Sequence, residues 1–163
     1  LLEGSPSTEL YYKMGLTNFC AGKYKRATVS FNAWFERNGF NDEASPLALI
    51  LTYTSYRRLA DNKSALNLLN RASKDKSRLS PIAIASLQAF QQGTCCNKVF
   101  SSVRKNKPAD MALAHLTAAM FNSLAAKQEP YEKNLKWIIK NSSRQQDEYT
   151  IASAELNSKK SLQ

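Results

Sequence analysis

With 163 residues, 43% of them hydrophobic and 22% charged, the chain has the size and balance of one globular domain with a real core. No apolar run approaches the ~20 residues of a membrane-spanning helix, which excludes that class. The 23 Lys and Arg against 13 Asp and Glu give a net charge of +10, which favours an acidic partner. The three cysteines, Cys20, Cys95 and Cys96, match neither a zinc ribbon nor a Cys-x-x-Cys pair, and they are too few for a disulfide scaffold. They read as small buried hydrophobes.

The chain starts without Met and without a charged-then-apolar leader, so it reads as processed or as a piece of something longer. Residues 1–8 read as a flexible lead-in. The apolar periodicity then predicts helices over roughly 6–21 and 24–37, hinged at Ala21-Gly22. A second pair is expected over roughly 46–60 and 63–74, hinged at Asp61-Asn62. A third follows over roughly 81–92 and 95–105, hinged at Gly93, and a fourth over roughly 108–126 and 130–141. Ser45-Pro46 and Ser80-Pro81 each read as a helix start, with Ser as the cap and Pro in the first turn. Ser143 and Gln146 stand in capping-box spacing and open a last helix over roughly 144–158, with a stripe of Tyr149, Ala152 and Leu156. Sustained apolar/polar alternation is absent, so no strand is expected.

The second helices share a spacing. Ala27, Phe31 and Trp34 are four and then three apart; so are Ala65, Leu69 and Ala72, then Cys96, Phe100 and Val103, then Tyr131, Leu135 and Ile138. Each trio falls on one helical face. The prolines that open the first helices, Pro6, Pro46, Pro81 and Pro108, recur at 40, 35 and 27 residues, uneven spacings within the range of repeat architectures. In "YYKMGLTNFCAGKYKRATVSFNAWF", residues 11–35, Gly15 and Ala27 are small where two helices approach, Gly22 frees the turn, and Tyr24 and Phe31 fill the space between. Met14-Gly15 followed by Gly22, Tyr24, Ala27 and Phe31 resembles the tetratricopeptide repeat family. The resemblance implies an all-α, right-handed α-solenoid of about four helix pairs with a C-terminal capping helix. Repeats of uneven length are similar to those of bacterial envelope and secretion adaptors and chaperones, which implies a periplasmic or cytoplasmic setting.

No catalytic set is legible. The one histidine, His115, lies among small and apolar residues and reads as a packed, hydrogen-bonded side chain; Asp110 is off its helical face. Acids such as Asp42, Glu43 and Asp110 fall near helix ends and read as partners of helix dipoles. Nothing calls for a metal or a cofactor. The expected function is therefore non-catalytic: an adaptor, assembly factor or chaperone that holds a partner segment in a concave groove. The resemblance implies that the first helix of each pair lines that groove, through Tyr12, Leu16 and Phe19, then Thr54, Arg57 and Arg58, then Ala85 and Gln88, then Leu116, Met120 and Ser123. Arg57 and Arg58 would give it a basic centre for a partner carrying acids. An alternative is a nucleic-acid-binding helical module. From Arg57 to Lys107 there are 11 basic residues and two acids, with Phe90 and Phe100 among them.

Overall fold

The structure, a computed structural model, describes residues 7–75 and 79–160. Among these residues it is all helical, with α1 Thr8–Cys20, α2 Tyr24–Asn38, α3 Ser45–Arg58, α4 Asn62–Lys74, α5 Pro81–Gln92, α6 Asn97–Ser101, α7 Pro108–Leu124, α8 Gln128–Asn141 and α9 Asp147–Lys160. None of them is long and apolar enough to cross a membrane. Pro6 and Lys76 lie outside the described residues. The expected lead-in ends sooner than residue 8, because the Ser7 hydroxyl accepts from the Leu10 N–H at 3.3 Å and Thr8 is already helical.

Four hinges share one geometry. Gly22, Ala60, Gly93 and Ala126 all take left-handed φ values, of 69°, 58°, 64° and 56°. After each, the next residue donates its N–H to the carbonyl five positions back: Lys23 to Asn18, Asp61 to Tyr56, Thr94 to Ala89 and Lys127 to Asn122, at 2.8–3.2 Å. This bond closes the last helical turn and satisfies carbonyls the helix leaves unpaired. Two of the four positions were legible as glycines. The other two are alanines, which enter this region only under tertiary constraint.

The helix starts differ in their caps. Ser80 accepts from the Ala83 N–H at 3.4 Å, as its sequence predicts. Ser45 does not cap: α3 begins one residue earlier than expected, Asp42 Oδ1 accepts from the Ala44 N–H at 2.8 Å instead, and the Ser45 hydroxyl is buried without a partner. The Ser143–Gln146 box forms only by half: the Ser143 N–H donates to Gln146 Oε1 at 2.8 Å, but the Ser143 hydroxyl accepts from the Gln145 N–H at 3.3 Å, and α9 begins at Asp147 rather than 144.

Two helices make the centre. Every residue of α3 from Ser45 to Ser55 is buried, as is nearly the whole of α7 from Ala112 to Met120. A helix apolar and buried all round must be surrounded, and α3 packs against α1, α2, α4, α5 and α7. Gly15 lets α1 close on α2, since a Cβ there would lie 2.6 Å from the Phe31 ring. Three of the four trios are core: Ala27, Phe31 and Trp34; Ala65, Leu69 and Ala72; Tyr131, Leu135 and Ile138. The third is only half-buried, because α6 is a five-residue helix rather than the expected 95–105. Arg104 ends it, turning its N–H and guanidinium onto Asp110 in the first turn of α7. Finally, α9 packs on α8, α7 and α1, which joins the last helix to the first.

Candidate functional site

The two ends of α3 carry the polar chemistry. At its C-terminal end Arg58 turns inward. Its Nη1 and Nη2 donate to the two Glu155 oxygens at 2.6 and 2.7 Å, a bidentate ion pair with both side chains largely buried. Nη1 also donates to the Tyr24 hydroxyl at 2.7 Å and Nη2 to Ser123 Oγ at 3.3 Å. The guanidinium lies 5.4 Å from the Phe19 ring centroid and 5.0 Å from that of Tyr24, a cation–π setting. Tyr131 donates to Glu155 as well. Burial works against the Arg58 charge, but the hydrogen bond and the negative charge of Glu155 outweigh it, so the guanidinium is held above its ordinary pKa. Burial, with the Glu155 charge beside it, raises the Tyr131 phenol.

At the opposite end the N-terminal turns of α3, α5, α7 and α9 converge on a cleft of about 820 Å³, within the usual range for a binding site. Its apolar lining comes from Phe40, Leu47, Leu79, Ile82 and Leu113, and Tyr12 of α1 closes one side. Among the described residues five carboxylates also line it, those of Asp42, Glu43, Asp110, Asp147 and Glu148, against two basic side chains, Arg104 and Lys107. Both bases are engaged. Arg104 forks onto Asp110 at 2.6 and 2.8 Å, and Lys107 reaches Glu43 at 2.9 Å. The Arg104 hydrogen bonds hold the Asp110 carboxyl below its ordinary pKa despite burial, and Lys107 lowers that of Glu43. Asp147 accepts from the Tyr12 hydroxyl at 2.8 Å; burial, then the Asp147 charge, raise the Tyr12 phenol. Burial, joined by the neighbouring Asp147 charge, raises Glu148. The cleft is thus an acidic recess in a basic protein.

The expected groove face meets, but as core. Phe19, Arg58, Met120 and Ser123 do come together, and the acid that joins them is the chain's own Glu155. Phe19, Thr54, Leu116 and Met120 are at most 1% exposed, so they line no open surface: α3 is enclosed, and α9 packs on α1, α7 and α8. Leu16 is half-buried against the core. Arg57 is exposed, with Nη1 on the Tyr53 hydroxyl at 2.8 Å. Ala85 and Gln88 line a separate small cavity beside Cys95 and Cys96, and Tyr12 alone of the expected residues faces the acidic cleft.

Asp147, Glu148 and Glu155 were missed. The signal for the cleft was present: Asp42, Asp110 and Asp147 all sit at the starts of odd-numbered helices, and a chain of helical hairpins puts those starts at one end. His115 keeps to its expected role, its Nδ1 2.7 Å from Asn134 Oδ1 and its ring stacked 3.8 Å from Trp137; burial lowers its pKa. Comparison of the chain with family models, with curated proteins and with solved structures finds no match.

Proposed function

We propose that this chain is a non-catalytic, tetratricopeptide-like binding protein, an adaptor, assembly factor or chaperone. In this reading the four hairpins form a short right-handed solenoid, α9 is its cap, and a partner segment enters the cleft at the N-terminal ends of the odd helices. The observation that carries the reading is the cleft itself: an apolar floor under a rim whose two cations among the described residues, Arg104 and Lys107, are already paired. Its occupant should combine an aliphatic or aromatic anchor with Lys or Arg. That reverses the sign expected from Arg57 and Arg58, because Arg58 already holds an acid of its own chain. His115 stands away from the cleft among Phe100, Asn134 and Trp137, in keeping with a binding role.

Exposed Lys63, Lys74, Lys98 and Lys105 sustain the second reading, nucleic-acid binding. One experiment separates them. A library of labelled decapeptides and a labelled single-stranded oligonucleotide are titrated with the protein at low and physiological salt. The protein-binding reading expects peptides with Lys or Arg beside an apolar residue to bind at both salts. Oligonucleotide binding that collapses with salt, with the peptides silent, would instead mark phosphate recognition.

A further inference from the structure

Charge in this fold is sorted by helix. The even-numbered helices hold ten Lys and Arg against three acids, whereas the odd-numbered ones hold five of each. The odd helices pack on one another, and each even helix packs on the odd ones either side of it, so the basic excess lies on the outer helices. Among the described residues that line the acidic cleft, none belongs to an even helix. Where α6 and α8 flank α7, the basic layer also carries rings. His115 of α7 meets Phe100 of α6 edge-on at 4.9 Å and stacks on Trp137 of α8 at 3.8 Å, their planes 17° apart. All three rings are partly exposed. The stack is held in place: His115 Nδ1 lies 2.7 Å from Asn134 Oδ1, and Asn134 Nδ2 donates to the Pro130 carbonyl at 2.7 Å. Lys133 and Lys140 stand four before and three after Trp137, on its own helical face, and Lys98 stands two before Phe100. These three lysines are exposed, and among the described residues none is in an ion pair. The acids of α8, Glu129 and Glu132, both precede Lys133, and Lys136 pairs with Glu132 at 3.4 Å.

We propose that the face formed by α6, His115 and α8 binds single-stranded nucleic acid, with bases stacking at Trp137 and phosphates lying between Lys98 on one side and Lys133 and Lys140 on the other. This site rests on the nucleic-acid reading above and gives it a place; it is independent of what fills the cleft. Unpaired bases offer the flat faces a ring platform takes up, whereas a duplex keeps them in its own stack. The lysines engage phosphate without regard to sequence, and each one engaged releases a counterion, so affinity falls as salt rises. An anionic lipid surface would match the charge and leave the rings nothing to stack on.

The test titrates the full chain with a thymidylate decamer, labelled for anisotropy and unlabelled for tryptophan emission, at low and physiological salt. Of the two tryptophans Trp34 is 3% exposed, so quenching by a bound base reports Trp137. The proposal expects salt-sensitive binding with quenched emission, and weaker binding of a duplex of the same length. An abasic decamer, which keeps the phosphates and lacks the bases, should bind roughly tenfold more weakly and leave the emission unchanged. Lys133→Gln with Lys140→Gln should weaken thymidylate binding roughly tenfold at low salt and flatten its salt dependence, while Lys13→Gln on α1 should change neither. Trp137→Phe keeps a ring, so it should lose the quenching and retain most of the binding. Thermal melts confirm first that each variant is folded. Binding without quenching, equal binding of the abasic decamer, or an unaltered Lys133/Lys140 variant would overturn this site while leaving nucleic-acid binding elsewhere on the chain. Absence of oligonucleotide binding at either salt, or tighter binding to phosphatidylserine vesicles than to thymidylate, would overturn the site and the nucleic-acid reading together.

Discussion

Ala60 and Ala126 hold left-handed backbone that Gly22 and Gly93 take in the matching hinges. Their Cβ atoms make that conformation unfavourable, whereas glycine adopts it freely. Ala60→Gly and Ala126→Gly should therefore each raise stability, by up to about 1 kcal/mol once the looser unfolded glycine is counted. Gly22→Val should lower it through φ alone, since open space surrounds the Cβ position. Urea melts of the three variants check the set, and an Ala60→Gly protein weaker than its parent would contradict the hinge geometry. His115 supplies a pH signature. Burial lowers its folded-state pKa below the ordinary 6.5, so the unfolded chain binds its proton first. Its contribution is complete above about pH 6.5 and is lost as pH falls through the folded value. Glu148 has the opposite sign, its raised pKa favouring the fold at the acid end. The difference in stability between the parent and His115→Gln, measured from pH 7.5 to 5, isolates the histidine and should shrink as pH falls.

At the scale of the helix, α9 is held to the molecule by one buried pair as well as by Ile151 and Ala152. Removing one partner of such a pair strands the other, at a cost of about 3–5 kcal/mol. Arg58→Met and Glu155→Leu should each cost that much, and the double variant should recover most of it, a coupling that urea melts of the cycle measure directly. Additive losses would show that the two charges act independently. Arg58→Glu, which sets a second carboxylate against Glu155, should unfold the end of α9. Helices with a strong one-sided pattern were legible: the Ala27, Ala65 and Tyr131 trios are core as spaced. The enclosure of α3 and α7 was not, because a helix buried all round has no distinctive face to read. Nor was α6, whose extent is decided by the Arg104–Asp110 fork, a contact between helices. Glu155 lies between Ala152 and Leu156 on what reads as an apolar stripe, and only its partner Arg58, 97 positions away, explains it.

For the whole molecule, the charge that dominates the sequence is the wrong guide to the cleft where the odd helices begin. The basic excess is spread over exposed side chains, while five of the 13 acids gather at one end, where the odd helices begin. Each acid has a local reason to be there, at the positive end of a helix dipole, and only the hairpin topology brings them together. The account stands or falls on whether a partner uses that end of α3 or the other. The most direct measurement is calorimetric titration of the tightest Lys- or Arg-bearing peptide into the parent, Glu148→Lys and Arg57→Glu, each first confirmed by its melt to be folded. The cleft reading predicts that Glu148→Lys weakens binding tenfold or more, about 1.4 kcal/mol, while Arg57→Glu leaves it unchanged. Loss of binding in Arg57→Glu with Glu148→Lys unaffected would contradict it and move the site to the exposed basic surface at the C-terminal end of α3.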